Sequence, residues 1–283
     1  MPASRWHSNI NDLFRWIGEE DSELISMMMS SMFPRMNQNG SLSSDSDSSE
    51  KSNPTKYPDI LPILPLRGVV VYPQTAVPLT VGQPRSIRLV DEVVGGDKLV
   101  GLLASKNPDL ETPGPADLYQ VGTIATVHRL LRAPDGTIRL LVQGMERFRV
   151  VEFVGEEPYL KARIELAPEL IEQGVEIDAL ARNARDQFQQ ITQMIPSFPE
   201  ELAGSITSVE DPLQTAYTIA NFQRMELKDS QEILTLDSVS EKLKKLIGLL
   251  VREAEVFRSG RRSKMKRAVK LKKYSANISC ASR

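Results

Sequence analysis

From Glu169 onward the hydrophobic period of this chain changes, and that change limits its fold more than any other feature of the sequence. Upstream, Ile138, Leu140 and Val142 fall at every second position. Leu160, Ala162, Ile164 and Leu166 likewise alternate with Lys161, Arg163 and Glu165, the pattern of half-buried strands. Downstream, Ile177, Leu180, Ala184, Phe188, Ile191 and Ile195 recur at three- and four-residue steps until Pro196, which marks one face of a helix. Strands gathered before helices specify an α+β chain. The expected division is a β domain over residues 57–167 and an α-helical bundle over 168–258 that ends in a long helix.

Within the first half, Leu61, Ile63, Leu64 and Leu66 are punctuated by Pro62 and Pro65, which suits an edge strand because proline cannot donate to a ladder. Val69 to Tyr72 is a β-branched run stopped by Pro73, and Val77 to Val81 is another. Pro84 fits the first turn of a helix whose apolar positions Leu89, Val90, Val93 and Val94 end at Gly95 and Gly96. Lys98 to Ala104 reads as a buried strand, and Asn107 to Asp117 as a surface loop. Val121 to Leu131 and Thr137 to Val142 flank Ala133-Pro134-Asp135-Gly136, a type I turn with a left-handed glycine closing a hairpin. Gly144 is read as a break before a further strand, Arg147 to Phe153, in which Val150-Val151 marks a bulge. So many short strands around one helix imply a curled sheet or pseudobarrel.

In the second half, shorter helices are expected at Glu200 to Thr207, Pro212 to Phe222 and Ser230 to Leu234. Ser238 and Glu241 then have capping-box spacing ahead of Val239, Leu243, Leu246, Leu250 and Phe257 on one face. At the start of the chain, residues 1–56 form an N-terminal extension. It comprises a weakly amphipathic segment with a Met-rich run and a Ser-rich stretch, Asn37 to Lys56, too polar to order itself. Residues 259–283 form a basic tail with Arg261, Arg262, Lys264, Lys266, Arg267, Lys270, Lys272 and Lys273 and no acid.

Several function classes are disfavoured. No Gly-Lys dipeptide is present, so there is no P-loop of the form G-x-x-x-x-G-K-[ST]. The histidines are His7 and His128 and the single cysteine is Cys280, so neither a zinc cluster nor an internal disulfide can be built, and no metal or other cofactor is expected. No run of about 18 apolar residues supplies a membrane span, and a reducing cytoplasm suits the cysteine usage. Adjacent acids such as Glu156-Glu157, Glu200-Glu201 and Glu210-Asp211 come with no cleft to hold them at the separation acid–base work requires, and no catalytic residue is assigned. A chain of this kind acts through surfaces. Aromatic and apolar groups anchor interfaces, which makes Tyr72, Leu79, Tyr119, Phe148 and Phe153 the candidate protein-binding residues.

The stretch LPILPLRGVVVYPQTAVPLTVGQPRSIRLVDEV, from Leu61 to Val93, resembles the opening of the N-terminal region of the bacterial ATP-dependent protease Lon. The resemblance is carried by Leu64-Pro65-Leu66-Arg67, Tyr72-Pro73, Pro78-Leu79 and Val81-Gly82-x-x-x-Ser86-Ile87. Val142 to Val150, Ser205 to Asn221 and Lys228 to Leu250 resemble later parts of that region in the same order, so the likeness runs from Ile60 to Phe257. It implies a PUA-like barrel followed by helices. It also implies a non-catalytic module that engages unfolded or substrate proteins and supports self-association or assembly with Lon-type subunits. Lon would be expected to continue into ATPase and peptidase domains. The basic tail stands where that pattern fails, which reads as a truncated Lon-like protein. An alternative reading is a PUA-like nucleic-acid-binding protein that uses the basic tail, contacting phosphate in the main since only Tyr274 could stack on a base.

Overall fold

The computed structural model describes residues 57–195, 198–223 and 225–259. The expectations for residues 1–56 and for the basic tail lie outside the described residues. The chain builds β1 (Ile60–Leu66), β2 (Ala76–Val81), α1 (Pro84–Gly95), β3 (Leu99–Ala104), β4 (Val121–Arg132), β5 (Ile138–Gly155) and β6 (Lys161–Leu166). There follow α2 (Val175–Gln193), α3 (Glu200–Thr207), α4 (Pro212–Phe222) and α5 (Leu227–Thr235). The last helix, α6, covers residues 239–259. The α+β order anticipated from the change of period is thus the order observed.

The strands run β2-β5-β4-β3-β1-β6 across one sheet, and β5 pairs a second time with β6. β1 and β3 are parallel and the other pairs antiparallel. One strand can serve three neighbours because β5 is long and interrupted. Register shifts between Val150 and Glu152 and between Phe153 and Gly155 each leave an unpaired residue that turns the strand and increases its twist. The first of these is the bulge expected at Val150-Val151. The hairpin forms as the turn residues dictate. Gly136 sits at φ 82, its N–H donates to Ala133 O at 3.1 Å, and Asp135 Oδ1 accepts from both the N–H and the hydroxyl of Thr137 at 2.9 and 2.7 Å. These two donors hold the Asp135 carboxyl below the usual carboxylate range.

Three expectations from the prolines and glycines need correction. β1 is an interior strand, flanked by β3 and β6. Its ladders are staggered: β6 pairs with Ile60 to Pro62 and β3 with Ile63 to Leu66. Ile63 donates to Leu160 O, so by alternation the nitrogen of Pro65 faces β6 beyond the end of that ladder, and the nitrogen of Pro62 faces β3 before its ladder begins. Neither proline removes a bond that the sheet makes. Val69 to Tyr72 is a buried connection without a ladder, and Val71 O is taken by the Thr123 hydroxyl at 2.6 Å. Gly144 does not interrupt β5. A Cβ there would stand 2.2 Å from Tyr72 O, so the glycine allows two backbones to approach.

Apolar packing divides into three clusters. One, with Ile63, Leu103, Ile124, Phe148, Leu160 and Ala162, fills the inside of the curl. A second places Leu89, Val90 and Val93 of α1 on the sheet residues Leu64, Leu102, Leu140 and Val142. The third belongs to the helices, with Phe188, Ile191, Tyr217, Ile233, Leu243, Leu246 and Leu250, but it also takes in Tyr72, Val121 and Leu141. Strand and helix halves therefore share one core at their junction.

Candidate functional site

Helix α5 ends at Thr235 pointing its last carbonyls into protein, where each needs a donor. Arg147 of β5, its side chain 1% exposed, supplies most of them. Nη1 donates to Leu234 O, Thr235 O and Leu236 O at 3.0, 3.0 and 2.7 Å. Nη2 donates to Pro168 O and Asp237 Oδ1 at 3.3 and 2.6 Å, and Nε to Ala167 O at 2.6 Å. Lys242 of α6 completes the set, donating from Nζ to Ile233 O and Leu234 O at 2.8 and 3.1 Å. Two buried cations therefore cap one helix C-terminus, where the helix dipole favours positive charge.

The counter-charge comes from Glu169, whose Oε1 lies 3.5 Å from Arg147 Nε and accepts from the Tyr217 hydroxyl. Tyr217 in turn carries Lys242 over its ring at 5.0 Å and stacks on Tyr72 with ring centroids 5.5 Å apart. The Tyr72 hydroxyl donates to Ser230 O at 3.0 Å, and Gln231 Nε2 donates to Val121 O at 2.9 Å. Burial, reinforced by the nearby Arg147 charge and opposed by Glu169 and Asp237, pushes Lys242 down to about 7. Burial likewise pushes the Tyr72 and Tyr217 phenols up. The arrangement is a polar knot between β5, the chain after β6, α4, α5 and α6, and its chemistry is positional: the groups bond to backbone and to one another.

The candidate protein-binding residues are spread through the molecule. Tyr72, Leu79 and Phe148 lie buried in the third, second and first clusters respectively. Tyr119 and Phe153 are partly exposed and pack at the margins of the third and first. His128 is an exposed bulge residue bonded to Gln143 Oε1 at 2.7 Å. Asp211 caps α4, accepting from Gln214 N at 2.7 Å. Among the described residues no three of the His, Cys, Asp and Glu side chains lie together as a metal site would require. A groove between β1 and α1, lined by Pro65, Arg67, Arg85 and Tyr159, offers about 40 Å³, room for about one water molecule.

Sequence reasoning missed Arg147, Glu169, Tyr217 and Lys242. Arg147 alternates with the inward Phe148, so it reads as solvent-facing. It is buried because the helices cover that side of the sheet. For Lys242 a signal existed: it stands between Val239 and Leu243 at the start of an apolar helical face.

Three comparisons with known proteins bear on this arrangement. A family model described as the substrate-binding domain of the ATP-dependent protease La (Lon) matches residues 60–252. Lon protease 1 of Herpetosiphon aurantiacus is 44% identical over 217 residues, covering 75% of this chain and 26% of that protein. Lon protease of Dictyoglomus thermophilum is 44% identical over 200 residues, covering 71% and 25%. The chain thus spans about a quarter of the length of these relatives. Among solved structures, the N-terminal domain of Mycobacterium avium complex Lon protease superposes with a TM-score of 0.56 at 22% identity, covering 68% of this chain and 98% of that one.

Proposed function

The chain belongs to the family of Lon substrate-binding domains, and from that premise we propose that it is a non-catalytic module that holds unfolded or partly unfolded polypeptide. The match over residues 60–252 carries this reading. Residues 57–167 are taken as a PUA-like β domain and 168–258 as its helical domain, with self-association or assembly with Lon-type subunits as the second role. The cytoplasm, where such clients occur, is its proposed compartment. Among the described residues no helix is long and apolar enough to cross a membrane. Of the five candidate contact residues, Tyr119 and Phe153 retain surface for a partner.

Capture falls to side chains more than to strand addition. β2 pairs only with β5 among the described strands, so its other side is the open edge of the sheet. The bond from Gly144 N to Thr75 O at 2.8 Å sets the phase of that ladder. Residues 77, 79 and 81 then bond to β5, while Ala76, Pro78 and Thr80 face outward. Pro78 therefore removes the central outward donor, a device that discourages pairing at an edge. Binding is reversible, with a Kd in the micromolar range or weaker, about −8 kcal/mol or less favourable. Titrating the chain into a labelled, permanently unfolded protein and into its folded counterpart should raise anisotropy for the former alone. Equal binding of both, or of neither, rejects the reading.

A further inference from the structure

Residues 166–175, from the last residue of β6 to the first of α2, display large aliphatic side chains that the core does not use. Leu166 is 44% exposed, Leu170 63%, Ile171 68% and Val175 85%. This backbone is held on several sides. Arg147 takes Ala167 O and Pro168 O, Leu170 N donates to Asp237 O at 2.9 Å, and Val239 N donates to Leu170 O at 3.4 Å. The Glu172 carboxylate accepts from Ser240 N at 2.9 Å and from the Ser238 hydroxyl at 2.8 Å. These donors hold Glu172 below the usual carboxylate range. A pinned segment presents its side chains in place, at little ordering cost to a partner. Clustered exposure of large apolar groups marks an interaction surface.

The charge of the strip indicates what it takes. Glu165, Glu169, Glu172, Glu176 and Asp178 lie along it, and no Lys or Arg occurs between Glu165 and Ala181. Glu169 is turned inward to the polar knot, but Glu165, Glu172, Glu176 and Asp178 are exposed. Lys244 approaches from α6, pairing with Glu176 at 3.2 Å and acting on Glu172, and Arg149 stands opposite Glu165 across β5, so the acids still outnumber the bases along the strip. We propose that residues 166–175 are the docking strip for polypeptide segments in which apolar residues are flanked by lysine and arginine. The inference rests on the reading of the chain as a polypeptide-binding module and names the client class and the surface.

The test uses the full chain and two fluorescein-labelled 15-residue peptides of leucine, serine and lysine, or leucine, serine and glutamate, alongside the unfolded protein. The lysine peptide should bind at least tenfold tighter than the glutamate peptide and weaken with salt. The L170S/I171S/V175S variant should lose at least tenfold in affinity at a little-changed Tm, since these side chains are mostly exposed. E165K/E176K should reverse the preference between the peptides. A control, Val154→Ser on exposed β5, should bind as the parent does. If the triple variant binds the unfolded protein and the lysine peptide unchanged, the strip is refuted while the polypeptide-binding reading stands. If the parent binds none of the three probes, both fail. If the triple variant keeps its affinity but turns a dimer into a monomer in sedimentation, a second copy occupies the strip. If ending the chain after Ser259 raises peptide affinity tenfold, the basic tail is its occupant. Either outcome overturns the proposal.

Discussion

Arg147 shows how a charged residue can hold two halves of a fold together without taking part in chemistry. Its guanidinium has five N–H groups, and all of them are directed at carbonyls or a carboxylate around the end of α5 and the chain after β6. Arg147→Met should therefore cost about 3–5 kcal/mol, read as a lower urea midpoint, because removing one member of a buried charged set strands the rest. Lys242 makes a different demand. Its folded-state pKa is pushed down to about 7, while in the unfolded chain it returns to about 10.4. Between those values the unfolded chain binds a proton that the folded chain does not, so the lysine's contribution to stability rises with pH across that window. It falls as pH drops towards 7, and is flat below, where both states are charged. Urea midpoints of the parent should climb from pH 7 to pH 9 relative to Lys242→Met, by at most about 1.4 kcal/mol per pH unit. A constant difference between the two would mean that the buried amine does not titrate there.

At the scale of single elements, backbone approach and strand phase matter more than composition. Gly144→Ala places a methyl 2.2 Å from Tyr72 O, against backbone that cannot swing aside. A loss of about 3 kcal/mol, the upper end of overpacking penalties, is expected in chemical denaturation. Pro78→Val restores the missing donor on the open side of β2, and light scattering should show greater concentration-dependent association than for the parent. The helices and the β4–β5 hairpin were legible in the sequence because their signals are local: Pro84 and Pro212 open helices, and Asp135 with Gly136 makes the turn. The place of β1 was not, because whether Pro62 and Pro65 block a ladder depends on where the ladders of β3 and β6 begin and end. The same holds for the candidate contacts. An aromatic residue in a β-branched run has the same spacing whether it faces solvent or a helix from much later in the chain, as Tyr72 faces Tyr217.

For the molecule as a whole, the shared core and the polar knot imply one cooperative unit across residues 57–259, even where two domains can be drawn. Amides of β5 and of α4 should exchange with the same free energy in native-state hydrogen exchange. Separate values for the two would mean that the halves open independently. The staggered pairing of β1 also has a consequence in time. β1 leaves the ribosome first among the strands, yet its partner at Ile60 is Arg163. At roughly 5–20 residues per second, β1 waits several seconds for β6 to be translated. Its parallel neighbour β3 emerges sooner, but the β6 side stays empty throughout. Pro62 and Pro65, which fall harmlessly beyond the ladders of the finished sheet, break the row of amide donors along the nascent strand, so that a chain still being made offers a poor template to its neighbours on the same message.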